Sequence, residues 1–277
     1  MKNNMFPPYS VCMSVYKNDN AIYFLTALRS MFQQTIPPDE IVLVVDGPIG
    51  ESLENTIVQL SKEYAVLKVI RFAENRGHAA ARQAGVDNAN NELIAIMDSD
   101  DIAVPNRMEM QLTFMAQHPE IDVLGGQIEE FIGEPCNVVG KRIVPTDSND
   151  IKHYLKSRCP MNLVSVFARK SKIQQVGGFI DWFCEEDYYL WIRMALAGCN
   201  FANLQETLVY VRVGEEMYQR RGGWKYFKSE RGIQRYMWQH HLVTFPRYCY
   251  NVFIRFIVQV AMPNKVRGWV FRKFARK

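Results

Sequence analysis

Hydrophobic residues in the first hundred positions follow two alternating spacings. Val11-Cys-Met-Ser-Val15, Ile41-Val-Leu-Val-Val45, Val66-Leu-Lys-Val-Ile70 and Leu93-Ile-Ala-Ile-Met97 are short, nearly continuous apolar runs. Runs of that length, bounded by polar residues, predict strands buried on both faces. Between the first two, Ile22, Leu25, Leu28 and Phe32 recur at helical spacing. Between the next two, Leu53, Ile57, Leu60 and Tyr64 do the same. Strands joined by helical crossovers predict an α/β fold with a parallel sheet covered on both sides.

Ligands of such sheets lie beyond the carboxyl ends of the strands. The polar residues found there are Tyr16, Asp46, the run Glu74-Asn75-Arg76, and the cluster Asp98, Asp100 and Asp101. Their common position after the strands makes them a candidate site before any motif is considered. The pattern then predicts a helix over 105–118, with Pro105 suited to its first turn and Met108, Leu112 and Met115 on its inner face. Further strands are expected at 121–131, 138–144, 163–169 and Leu208–Val213. Helices are expected at 147–157 and 187–197, the second closed by Gly198.

Composition narrows the class. The 277 residues are 48 % hydrophobic, enough to bury a large core. Cysteines at 12, 136, 159, 184, 199 and 249 form no C-x-x-C pair and show no metal-ligand spacing, so they read as reduced thiols. No G-x-G-x-x-G follows the first strand and no G-x-x-x-x-G-K-[ST] occurs, which disfavours nicotinamide-dinucleotide and P-loop readings. The N-terminal segment lacks an apolar stretch of the secretory type, and no run reaches the length of a membrane span. The net charge of +4 hides an asymmetry. Residues 231–277 hold ten Lys and Arg and no acid, so residues 1–230 carry a net −6. A segregated basic tail suggests an anionic surface as partner.

Four motifs can carry chemistry. Asp98-Ser-Asp-Asp101 ends a buried strand, where one or two carboxylates with phosphate oxygens and water can hold Mg²⁺ or Mn²⁺. The simpler account of a lone D-x-D is a helix cap with solvated neighbours, but the converging strand ends favour the metal. In Cys184-Glu-Glu-Asp187, the acids suit the first turn of a helix. Taken alone that is the simpler account, and the alternative is a general base. In Asn75-Arg-Gly-His-Ala-Ala-Ala-Arg82, Gly77 and the small residues let a helix N-terminus approach a ligand, with Arg76 and Arg82 adding positive charge. The same run would also pack tightly on a sheet. Tyr218-Gln-Arg-Arg-Gly-Gly-Trp224 is either a basic loop for a diphosphate or a solvated turn.

Over residues 9–225 these segments together resemble the family 2 glycosyltransferases of GT-A fold that build bacterial capsule, exopolysaccharide and O-antigen. The resemblance rests on Val11–Tyr16, Val44-Val-Asp46-Gly, Asn75–Arg82, Asp98–Asp101, Val176-Gly-Gly-Phe179 and Glu186-Asp187-Tyr-Tyr-Leu-Trp191. It implies a GT-A, Rossmann-like, mostly parallel sheet flanked by helices. Residues 9–103 would form a nucleotide-binding half, 104–225 an acceptor half, and 226–277 a basic, aromatic helical tail. Tyr16, Asp46, Asn75, Arg76 and Arg82 would hold the nucleotide sugar, a UDP-hexose such as UDP-galactose or UDP-glucose. Asp98 would contact the ribose or the metal shell, and Asp100 would bind Mn²⁺ or Mg²⁺ directly. Asp187 would be the base, and Arg220 or Arg221 would hold the diphosphate. Transfer to a lipid-linked saccharide with inversion is implied, on the cytoplasmic face of the inner membrane, with no nucleic-acid partner. The Q-x-x-R-W motif of processive synthases is absent, which implies single addition.

Three rivals fit less well. Sugar-nucleotide nucleotidyltransferases carry a Gly-rich basic loop where this chain has Tyr16-Lys-Asn-Asp-Asn20. Phosphotransferases with an Asp nucleophile place D-x-D after the first strand, not the fourth. A non-catalytic membrane-associated nucleotide-binding protein would not need Asp46, Asp100 and Asp187 all intact. In the tail, Val252–Met262 is apolar but short and interrupted by Arg255. Helices lying in the membrane interface are favoured over a core helix with a solvated basic end.

Overall fold

A computed structural model describes residues 6–214 and 222–262. Four parallel strands form the first half: β1 (Tyr9–Val15), β2 (Glu40–Val45), β3 (Leu67–Arg71) and β4 (Leu93–Met97). They are joined by α1 (Ala21–Phe32), α2 (Glu51–Glu63) and α3 (His78–Asn88). Asn20 starts α1 by accepting from the backbone N–H groups of Ile22 and Tyr23.

The two-residue β5 (Ile102–Ala103) and α4 (Arg107–Gln117) follow β4. Next come β6 (Val123–Phe131), β7 (Val138–Arg142), α5 (Ser148–Leu155), a 3₁₀ turn (Leu163–Ser165) and β8 (Phe167–Arg169). The chain continues through α6 (Lys170–Gln175), α7 (Glu186–Leu196) and β9 (Phe201–Arg212) to the last two helices of the described residues, Trp224–Gln239 and Phe245–Phe256. The last helix widens into a π-helical turn at Ile257–Ala261.

The sheet order is β3-β2-β1-β4-β8-β6-β9-β5, with β7 also paired to β6. Strands β3 to β4 are parallel throughout. Beyond β4 the sheet is mixed: β8 runs antiparallel to both β4 and β6, while β9 runs parallel to β6. The expected strand over 163–169 is divided, because a 3₁₀ turn occupies its first three residues. The last strand begins seven residues earlier than Leu208, since Phe201 and Ala202 pair with Val123 and Leu124.

Alternation along the parallel strands fills two cores. Val11, Met13 and Val15 face one side with Leu28 of α1, Ile57 of α2 and Leu112 of α4. Cys12 faces the other with Val86 of α3, Leu155 of α5 and Trp191 of α7. Helix α3 lies close to β1: a Cβ added at Gly85 would stand 3.2 Å from the Cβ of Cys12. This packing explains the small residues of that helix. Ile233 and Met237 of the Trp224–Gln239 helix belong to the second core. The start of the tail is therefore packed into the same body as the sheet.

Candidate active site

The carboxyl ends of β1, β2 and β4 open into one cleft of ≈ 530 Å³. Tyr16, Asp19, Asp46, Asn75, His78, Arg82, Asp98, Ser99 and Asp100 are among its lining residues. Of the residues expected to hold the nucleotide sugar, Tyr16, Asp46, Asn75, Arg82 and Asp98 line this cleft.

Asp46, at the end of β2, is buried and closely held. Its carboxylate accepts from the side-chain amide of Asn75 at 2.9 Å and from the backbone N–H groups of Arg76 at 2.6 Å and Gly77 at 3.0 Å. A carboxylate has about four acceptor positions, so Asp46 can brace this loop and still present an edge to the cleft. Gly47 makes the approach possible. Its φ is +86°, and a Cβ there would lie 2.5 Å from the Asn75 nitrogen. The Arg76 side chain turns outward and stacks on Phe72 at 4.7 Å. It contributes its backbone N–H to the site, while its guanidinium is not a lining group.

Asp19 was not expected from sequence, although it lies just beyond β1. It accepts from the Tyr16 backbone N–H at 3.1 Å and the Ser99 hydroxyl at 2.9 Å, tying the first loop to the acidic cluster. Asp100 faces the open cleft, yet enclosure by its walls and the nearby charges of Asp98 and Asp19 push its pKa to about 6. Asp101 points away from the cleft and is buried, accepting from the Arg212 backbone N–H at 2.8 Å. Burial and the adjacent Asp100 and Asp98 raise its pKa well above the carboxylate range. Arg212 donates to the Asp100 carbonyl at 3.2 Å, and its guanidinium lies 3.8 Å from the centre of the Tyr23 ring. It therefore holds the backbone of the acidic cluster from the far end of β9, a role no short motif signals.

Among the described residues, no three acidic, His or Cys groups converge into a self-sufficient metal cage. The donor set fits a different kind of site. Asp98 and Asp100 both line the cleft, and burial together with the neighbouring Asp98 and Asp19 charges raises the Asp100 pKa. A divalent ion held by one or two carboxylates and diphosphate oxygens would relieve that repulsion.

Arg82 joins the two halves of the site. One guanidinium nitrogen donates to Glu186 at 2.5 Å and the other to Asp98 at 3.2 Å. Burial alone would lower its pKa, but Asp98, Glu186 and Asp187 outweigh that and hold it above its ordinary value. Arg82 is thus already paired with two carboxylates, and Glu186 acquires a role that the sequence did not assign. The clip brings the first turn of α7 against the end of β4.

Asp187 is half-buried at the start of α7. One oxygen accepts from the next backbone N–H at 2.7 Å, and the other lies 3.6 Å from the Cys159 thiol. Burial and the negative charge of Asp187 raise the Cys159 pKa well above its ordinary value, so the thiol stays protonated between that carboxylate and the Met161 carbonyl at 3.5 Å. The preceding turn is strained at Cys184, a non-glycine residue with φ +59°. Glu185 is buried and accepts from the Tyr226 hydroxyl at 2.6 Å, which ties the Trp224–Gln239 helix to the same turn. Arg220 and Arg221 lie outside the described residues.

A half-parallel, half-mixed sheet with a nucleotide-sized cleft and an acidic cluster at its switch point defines the GT-A class of α/β fold. The family described as Glycosyl transferase family 2 matches residues 10–179. The chain belongs to that family. It is 32 % identical over 271 residues, 98 % of both chains, to UDP-Gal:alpha-D-GlcNAc-diphosphoundecaprenol beta-1,3-galactosyltransferase of Escherichia coli. It is 34 % identical to the amylovoran biosynthesis glycosyltransferase AmsE of Erwinia amylovora, covering 96 % of this chain and 98 % of that one. Among solved structures, S. aureus TarS 1–349 in complex with UDP superposes with a TM-score of 0.64 at 18 % identity, over 96 % of this chain and 75 % of that one. The mannosyltransferase PcManGT from Pyrobaculum calidifontis, in complex with GDP-Man and Mn²⁺, also gives 0.64, at 13 % identity over 98 % and 82 %.

Proposed function

We propose that this glycosyltransferase moves a hexose from a UDP-sugar to a hydroxyl of a lipid-linked saccharide in surface-polysaccharide biosynthesis, with inversion at the anomeric carbon. Galactose is the favoured hexose, with glucose second. The reading places the enzyme at the cytoplasmic face of the inner membrane, held there in part by its basic tail. The observation that carries it is the Arg82 clip, which sets the acidic end of β4 beside the Glu186-Asp187 turn. The E. coli relative's named reaction supports the donor and the acceptor class.

In this reading Tyr16 and Asp46 receive the base, and Asn75 and Gly77 shape the loop beneath it. Asp187 takes the proton of the acceptor hydroxyl as its oxygen bonds to the anomeric carbon. The bond from that carbon to the diphosphate breaks on the opposite side, and UDP leaves with the electron pair. General-base assistance of this kind contributes roughly 10²–10⁴-fold. Mn²⁺ or Mg²⁺ held by Asp100 and Asp98 would supply charge stabilisation for the leaving diphosphate. Arg82 keeps Asp98 and Glu186 at a fixed separation, which holds the Asp187 turn beside the acidic cluster.

The test is transfer of labelled hexose from UDP-galactose, UDP-glucose and GDP-mannose to a GlcNAc-diphospho-lipid, with linkage analysis of the product. A β-linked galactosyl product from UDP-galactose is expected. Transfer only from GDP-mannose, or an α-linked product, would overturn the reading.

A further inference from the structure

The last described helix is built inside out. Asn251, Arg255 and Gln259 recur every four residues and face the protein. Asn251 donates to the Gln234 side chain at 2.8 Å and to the Lys156 carbonyl at 3.0 Å. Arg255 pairs with Glu230 and donates to the Ser157 carbonyl at 2.6 Å. Burial opposes the charge on Arg255, but Glu230 outweighs it and holds the pKa above its ordinary value. Gln259 is buried, and its carbonyl accepts from Gly223. Arg255 is therefore no interruption of an apolar surface, because it points inward.

The opposite side of the helix is apolar and open. Phe253 is 61 % exposed and Tyr250 58 %, with Ile254, Phe256 and Ile257 alongside. Trp224, 59 % exposed, extends this surface across the hairpin through contacts with Phe256. A helix that hides its polar groups and presents large apolar ones has its partner outside the fold. Charge selects the partner. On the two helices Lys225, Lys228, Arg231, Arg235 and Arg247 are exposed, and Glu230 is consumed by Arg255. Residues 263–277 add six Lys and Arg and no acid. An apolar face ringed by cations fits the boundary between acyl chains and anionic headgroups. None of the helices in the described residues is long and apolar enough to cross a bilayer, so the helix would lie in that boundary.

We infer that the face formed by Tyr250, Phe253, Ile254, Phe256, Ile257 and Trp224 is immersed in an anionic bilayer, and that apolar insertion, rather than the basic tail alone, seats the enzyme on it. This deepens the proposal of a lipid-linked acceptor and rests on it for its purpose. The same hairpin holds the turn before Asp187, through Tyr226 on Glu185 and through the Ser229 hydroxyl on the Phe183 carbonyl at 2.7 Å. Seating the hairpin on lipid would therefore also set the acceptor side of the cleft toward the membrane.

The experiment is flotation of the full chain with phosphatidylcholine vesicles and with phosphatidylcholine–phosphatidylglycerol vesicles. The variants are Phe253→Ser with Ile257→Ser, and a separate charge-neutralised tail (Lys265, Arg267, Arg272 and Lys273 each to Gln). Size-exclusion chromatography without lipid and UDP binding check each variant. Wild type should float with the anionic vesicles, and the double variant should bind at least about tenfold more weakly with UDP binding unchanged. Undiminished flotation of the double variant, with loss only in the neutralised tail, would overturn the inference. So would no flotation of wild type, or self-association in wild type that the double variant abolishes, which would make the face an interface between copies. Hexose transfer to a water-soluble short-chain acceptor separates the two proposals. Its failure in a wild type that floats removes the proposed reaction, while the docking face stands.

Discussion

The two halves of the molecule hold their sites in opposite ways. On the proposed nucleotide side, β1, β2 and β4 are buried on both faces, and polar groups collect at the strand ends. There, contacts made largely to loop backbone, such as Asp46 on the 75–77 loop, shape the cleft. On the proposed acceptor side, side chains from other elements are turned inward onto the side chains of one turn. Tyr226 reaches Glu185, Arg82 reaches Glu186, and Cys159 reaches Asp187. The first arrangement predicts residues that govern nucleotide affinity. The second predicts residues that govern turnover.

The sharpest way to break that division is Asp187→Asn. If Asp187 belongs to chemistry alone, kcat falls roughly 10²–10⁴-fold while calorimetry with UDP gives nearly the wild-type affinity. A matching collapse of UDP binding would show that the two sides are one functional unit and that Asp187 holds the nucleotide.

Gly47→Ala is the complementary test. Positive φ and a close contact with the Asn75 backbone act together there, so the loop must move off Asp46. A cost of about 2–4 kcal/mol is expected, read as a lower Tm with weaker UDP binding. Unchanged binding would mean that the Asp46 bracing does not shape the nucleotide site.

How much of this was legible beforehand follows the same division. Periodicity exposes a buried parallel strand, and the strand-end rule then gathers Tyr16, Asp46, Asn75 and Asp98, which line one cleft, without contacts being known. Asp19 was open to the same rule and lies just beyond β1. Arg212 and Cys159 had no such signal, because their roles depend on β9 reaching the acidic cluster and on residue 159 meeting residue 187. Arg76 was legible as a loop residue, but the direction of its side chain was not, since stacking on Phe72 competes with the cleft. The last helix misled in one respect. Arg255 looks like a break in an apolar run until Glu230 is seen to draw it inward.

A smaller effect concerns pH. With the Asp100 pKa raised to about 6, protons compete with a cation for that carboxylate on the acid side. Metal-dependent UDP affinity should be level above about pH 7 and fall by about tenfold per unit below pH 6. Calorimetry with Mn²⁺ from pH 5 to 8 checks the slope. Asp100→Asn should bind UDP weakly and show neither metal dependence nor that slope. Metal-dependent binding that persists in Asp100→Asn would move the cation to other groups on the nucleotide side.

The mildest change, Tyr226→Phe, asks whether the C-terminal hairpin matters to the proposed catalytic turn at all. It removes one hydroxyl from a buried carboxylate and leaves the ring in place. Hydrogen bonds to charged groups contribute about 1.5–3 kcal/mol, and the strained turn at Cys184 leaves Glu185 as the anchor that fixes where α7 begins. The expected result is a modest drop in Tm together with a several-fold fall in kcat, at unchanged KM for the UDP-sugar. A drop in Tm with kcat untouched would leave the hairpin as a packed support with no hold on Asp187. A rise in KM for the donor would breach the division itself, because a contact on the acceptor side would then be shaping the nucleotide cleft through Arg82.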